Sequence, residues 1–199
     1  MATRNPVFTD DASSTSMASY TQMNPNWGSI SKAGGVFVGA GLGANTASAR
    51  VTAGVGSNQQ YAKITCTGLA FNGSNRYIGV QCRASAGVDD ARDFYAFYVI
   101  DDGASTRSWA LVRVDNGAET VLASGSSTVA TTDTVELEVE DSTLRGYISG
   151  VLKTTQTDST YSSGDPAPML SQDQTADTFE AGTLTASVGG SKMLLLGAG

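Results

Sequence analysis

From Val36 onward the chain is a succession of strand-sized runs separated by turn residues, and this spacing constrains the fold more than any other feature. The runs include GGVFVGAG, ASARVTAG, QQYAKITCTGLAF, RYIGVQCRAS, DFYAFYVID, SWALVRVD, ETVLAS and DTVELEVEDSTLRGYISGVLKTT. Alternation with a period of two marks half-buried strands, and the Gly, Asn, Asp and Ser clusters between them mark turns. Charged residues make up only 16% of the chain, and long Leu/Ala/Glu/Lys helical repeats are missing. The expectation is an all-β fold, an antiparallel two-sheet β-sandwich, with 199 residues enough for one sizeable core. Residues 1–35 read as a polar N-terminal arm or entry segment with Trp27 as its anchor, 36–190 as the sandwich, and 191–199 as an apolar C-terminal tail.

The stretch 133–155 specifies its own register. With Asp141-Ser142 as a two-residue turn, Glu140 faces Thr143, Glu138 faces Arg145 and Glu136 faces Tyr147. Val135, Leu137 and Val139 then lie on the core face beside Ile148, Gly146 and Leu144, and Ser149-Gly150 forms the next turn. The glutamates fall on the wet face. By the same reasoning a loop over 72–76 makes residues 60–84 a hairpin with Cys66 opposite Cys82, two buried thiols among Ile64, Ile78 and Val80. Ile64, Val80, Leu111, Val135, Leu137, Val139, Leu144 and Ile148 are the expected core.

The absence of histidine removes imidazole-based nucleophile systems and the usual zinc and iron sets. Twelve Lys+Arg against nineteen Asp+Glu, a formal charge of -7, oppose binding to a phosphate backbone, so nucleic acid is not an expected partner. No 18-residue apolar run and no signal-peptide core are present, which argues against membrane insertion and for synthesis in a cytoplasm. Two glutamates at i and i+2 satisfy the carboxyl spacing of a glycosidase, but no apolar pocket is evident to hold one protonated. The row therefore reads as a solvated strand with a Glu138–Arg145 ion pair, not as a catalytic apparatus. Glu136, Glu138, Arg145 and Tyr147 are the candidate glycan-binding residues. Asp89, Asp90 and Asp93 are candidate oxygen ligands for calcium, the one cofactor the composition suggests. Of Phe94, Tyr95, Phe97, Tyr98 and Trp109, one subset must face the core while the other is free to be exposed. Met193, Leu194, Leu195 and Leu196 cannot all be hidden by strict alternation, so they are expected to dock on another surface.

The succession DFYAFYV, SWALVRVDNGAETVLA and DTVELEVEDSTLRGYISGVLKTTQTDSTYSSG, with its L-x-x-Y-x-x-G turn, resembles the laminin-G-like or concanavalin A-like jelly roll over roughly residues 60–185. That resemblance implies a fold shared by lectins, polysaccharide-binding modules, glycoside hydrolases and adhesion or structural proteins. The laminarinase-like branch carries E-x-D-x-x-E on a strand; here Glu138 stands in place of the central Asp. The flanks MATRNPVFTDD and SKMLLLGAG resemble small structural proteins of tailed bacteriophages. This implies a non-enzymatic virion protein, a capsid decoration or tail-associated module, with copies of itself, other virion proteins and cell-surface glycans as partners. A carbohydrate-binding module or glycoside hydrolase is the alternative.

Overall fold

A computed structural model describes residues 2–23, 28–41, 46–69, 76–87, 92–101 and 106–185. The strands in chain order begin with β1 (Thr3–Asp10), β2 (Tyr20–Gln22), β3 (Gly28–Ala33), β4 (Val36–Gly41) and β5 (Thr46–Val51). They continue with β6 (Gln60–Gly68), β7 (Arg76–Ala84), β8 (Phe94–Asp101), β9 (Thr106–Asp115) and β10 (Ala118–Thr128). The last five are β11 (Thr134–Glu140), β12 (Thr143–Ile148), β13 (Val151–Thr157), β14 (Asp165–Ser171) and β15 (Thr175–Thr185). They form two antiparallel sheets. The first runs β13-β12-β11-β6-β15-β4-β3, with β1 added alongside β15, and the second runs β10-β9-β8-β7-β14-β5-β2.

The alternating rows face each other between the sheets. Ile64, Val80, Leu111, Val135, Leu137, Val139, Leu144 and Ile148 all lie in this core. The register of β11 on β12 is the expected one, from Val135↔Ile148 to Glu140↔Thr143. Ser149 and Gly150, both at positive φ, close the turn into β13. Gly146 has a tertiary reason: a Cβ there would sit 2.5 Å from the Phe97 ring, which crosses from the second sheet.

The expected hairpin of residues 60–84 does not form. β6 lies between β11 and β15 in the first sheet, whereas β7 lies between β8 and β14 in the second. The connection changes sheets, so Cys66 and Cys82 share the core without being strand partners. The alternation is the same in either arrangement, because both put the same side chains inside; only the second fills both inner faces of the sandwich. The cysteines are free and buried, and burial pushes the Cys66 thiol up to about 12 and Cys82 higher still.

Within residues 1–35 the structure places β1, β2 and β3 in the two sheets, with Ala12, Tyr20, Met23 and Ile30 buried. Neighbouring strands supply the apolar cover that this segment lacks by itself. Trp27 and the tail residues Met193, Leu194, Leu195 and Leu196 lie outside the described residues. Tyr95, Phe97 and Trp109 face the main core, as alternation requires. Phe94 and Tyr98 point the other way, yet each is only 4% exposed. They belong to a second buried cluster with Ala96, Ala110, Val112, Val114 and Met169, and the Tyr98 hydroxyl donates to Glu119.

Candidate functional site

Strand alternation sends Glu136 and Glu138 of β11, Tyr147 and Arg145 of β12, Tyr61 and Lys63 of β6 and Glu180 of β15 to the outer face of the first sheet. The four residues singled out from the sequence are thus brought together. The face is not the wet one expected: Glu136 is 3% exposed and Glu138 is fully buried. The cause is Arg4, which comes from β1. Its Nε donates to Glu138 Oε1 at 3.0 Å and lies 2.5 Å from Glu136 Oε1, and its guanidinium stacks 5.4 Å from the centre of the Tyr147 ring. Three strand spacings separate β1 from β11, roughly 14 Å on a flat sheet, so the long Arg4 side chain reaches across the face of β15 and β6 to make the contact. Sequence reasoning could not find Arg4, since the residues it joins are 132 and 134 positions away, by subtraction of 4 from 136 and 138.

The two carboxyl groups are not equivalent. Glu138 accepts from Arg4 and, at 2.8 Å, from the Tyr147 hydroxyl. Glu136 Oε1 is close to the guanidinium but outside hydrogen-bonding geometry, and no donor reaches it among the described residues. Burial therefore pushes Glu136 up to about 7, with Arg4 opposing and the neighbouring Glu138 adding to the shift. The expected Glu138–Arg145 pair is long, 3.8 Å, because Arg145 prefers Glu140 at 2.9 Å. A raised carboxyl beside a second one is the raw material of acid–base chemistry. Here, however, the seat between them holds a guanidinium.

An open site lies at one end of the sandwich. A cleft of about 290 Å³ is lined by Asn58, Arg83, Asp141, Ser142, Ser159, Tyr161 and Ser162. They come from the β5–β6 connection, the end of β7, the β11–β12 turn and the β13–β14 connection. Arg83, 3% exposed, ties three of these together: Nε and Nη2 donate to the Asn58 carbonyl at 3.1 and 2.7 Å, Nη1 to the Tyr161 carbonyl at 2.6 Å, and its backbone N–H to the Gln60 side chain at 3.0 Å. Tyr161 is fixed again by its hydroxyl, which donates to the Val114 carbonyl at 2.7 Å, and by the Tyr95 ring 5.1 Å away. Below it, burial works to raise Asp158, but hydrogen bonds from Tyr95, Thr160 and Arg113 outweigh that and hold it at about 2.

On this floor the cleft presents serine hydroxyls and the Asn58 amide to solvent. The Ser142, Ser159 and Ser162 hydroxyls and the Asn58 amide have no partner among the described residues, and Asp141 uses one oxygen, toward Gln59. Donors, acceptors and one aromatic ring converge on a space of sugar size. The sequence shows these residues only as a hydroxyl-rich loop, DSTYSSG, and a tight turn. Of the calcium candidates, Asp89 and Asp90 lie outside the described residues. Asp93 accepts from the Asn116 backbone at 2.9 Å, which ties the entry to β8 to the β9–β10 turn.

Neither protein-family models nor curated proteins match this sequence. Solved structures do. The carbohydrate-binding module CBM66 from Bacillus subtilis superposes with a TM-score of 0.58 at 22% identity, covering 85% of this chain and 95% of that one. A galectin-like-fold protein from Bacillus subtilis gives 0.67 at 12%, covering 93% and 99%. The fold is a lectin-like jelly roll. An endo-β-galactosidase from Clostridium perfringens that releases GlcNAcα1-4Gal shares it, at 0.61 and 9% identity over 89% of this chain and 62% of that one. Enzymes and binding modules alike use this jelly roll, so function must be argued from the site.

Proposed function

We propose that this jelly roll is a non-catalytic glycan-binding module that holds its ligand in the end cleft. The observation that carries the reading is the set of polar groups on Asn58, Ser142, Ser159 and Ser162 that have no partner among the described residues, together with the second oxygen of Asp141, beside the Arg83 clasp and Tyr161. Hydroxyl-for-hydroxyl exchange on a preorganised surface is how a sugar is recognised without large apolar burial. On this reading the setting is the one implied by the resemblance of the flanks MATRNPVFTDD and SKMLLLGAG, an adhesive module of a virion, self-associated and attached to other particle proteins. Hydrolysis is the second reading, favoured by Glu136 standing near 7 beside Glu138. Arg4 opposes it by filling the gap where a scissile bond would lie.

The test is a glycan array followed by calorimetric titration of the best binder, with Ser159→Trp as the cleft-filling variant. Wild-type protein should bind saturably, and the variant should fold but lose at least roughly tenfold in affinity. Absence of saturable binding, or binding indifferent to that substitution, would remove the cleft as the site. Sugar release by the wild type would favour the second reading.

A further inference from the structure

The outer face of the second sheet is apolar and sealed, although among the described residues no strand lies over it. The alternation that turns Ile78, Val80 and Cys82 of β7 into the main core turns Gln81 outward, between Ala96 of β8 and Ala167 of β14. Around it Phe94, Tyr98, Val112 and Met169 belong to the second buried cluster, joined by Met23 just past β2. The first sheet packs on the opposite face, and the partly buried hydrophobics against this cluster, Tyr77 and Ile100, belong to β7 and β8 themselves. A sheet face open to water exposes such side chains. Val121 of β10 does: it pairs with Val112 and points the same way, yet it is 55% exposed where Val112 is fully buried. The sealed area therefore ends between β9 and β10.

We propose that the C-terminal segment of the same chain, residues 186–199, lies on this face and sets its apolar run 193–196 against the cluster. The composition of the segments outside the described residues favours this occupant. Residues 24–27, 42–45, 70–75, 88–91 and 102–105 carry at most one large apolar side chain each, whereas 186–199 has Met193, Leu194, Leu195 and Leu196 in succession. The exit point of the chain favours it too. Near the end of β15, Thr183 pairs with Gln60, whose side chain accepts from the Arg83 N–H at the end of β7 and donates to the Gly164 carbonyl just before β14. The chain thus leaves the first sheet beside the end of the second. Packed sheets lie ~10 Å apart, and residues 186–192 span up to roughly 23 Å when extended, enough to round that end and bring 193–196 onto the cluster.

Gln81 calls for a peptide and not for an apolar cover alone. It is fully buried, and neither its amide nitrogen nor its amide oxygen has a partner among the described residues. A side-chain amide gives and takes hydrogen bonds, and a peptide backbone running past it offers a carbonyl and an N–H to match. An apolar surface would leave both atoms unsatisfied, which native interiors seldom tolerate. In this arrangement the leucines complete the domain that carries them, and the outer face of the second sheet is closed to other molecules.

The test places a nitroxide on the tail of the full chain through Ala198→Cys, a thiol labelled selectively because Cys66 and Cys82 are buried. In an isotope-enriched chain carrying the label, the amide signals of residues 79–81, 96–98, 167 and 169 should be lost to paramagnetic broadening, while those of β11 and β12 in the other sheet persist. Mixing a labelled chain without isotope with an enriched chain without label should leave every signal intact. Met193→Ser, Leu194→Ser, Leu195→Ser and Leu196→Ser together in the labelled chain should bring the lost signals back. Undisturbed signals on the second sheet, losses confined to the first sheet, or losses that survive the serine substitutions would overturn the proposal. Losses in the mixed sample would overturn it as well, by assigning the face to the tail of a second copy.

Discussion

Glu136 shows how far one residue can depart from what its strand pattern implies. As a surface residue it would be replaceable at no cost; as a buried acid that accepts no hydrogen bond at Oε1 from the described residues it is a source of pH dependence. Its folded-state value, about 7, lies above the ordinary 4.5, so folding takes up a proton between the two. The stabilisation linked to that proton is complete below about 4.5 and is lost as pH rises through about 7. Urea denaturation of Glu136→Gln should show this sector of the pH–stability curve flattened, with the largest gain over wild type above neutrality. A curve that keeps the wild-type slope would assign the proton to another group.

At the scale of an element, β12 is specified twice. Its row Leu144, Gly146, Ile148 faces the core and its other row, Arg145 and Tyr147, faces the glutamates. Gly146 is the point where this strand admits the other sheet, because the Phe97 ring fills the place of a side chain. Gly146→Ala forces a methyl carbon to 2.5 Å from a fully buried ring, an overpacking that should cost ~1–3 kcal/mol. Chemical denaturation would read that cost, and a neutral result would mean that Phe97 has room to move. A Gly in the middle of a strand otherwise looks like a weakness in the sequence. The contact that explains it comes from a residue 49 positions earlier, by subtraction of 97 from 146.

For the whole molecule, two sheets with free thiols sealed between them make a statement about access. Cys66 and Cys82 are fully buried and pushed far from thiolate formation. A thiol reagent should therefore modify both only as fast as the sandwich opens, and stoichiometrically in denaturant. Rapid labelling of the native chain would show that one end of the core is loose.

The sequence by itself determined everything that strand periodicity and turn chemistry control. The all-β class, the eight core side chains, the β11–β12 register and the turn at Ser149-Gly150 are local, because alternation and positive-φ turns are set by near neighbours. Tertiary structure decided what local patterns leave open. Crossing from β6 to β7 between sheets uses the same apolar row as a hairpin, so no pattern distinguishes the two. The glutamate face is dry because an arginine at the start of the chain closes over it, and the cleft exists because connections far apart in sequence meet at one end of the sandwich. Burial of a polar side chain depends on what covers it, and in a sandwich whose strands pair out of chain order the cover is non-local.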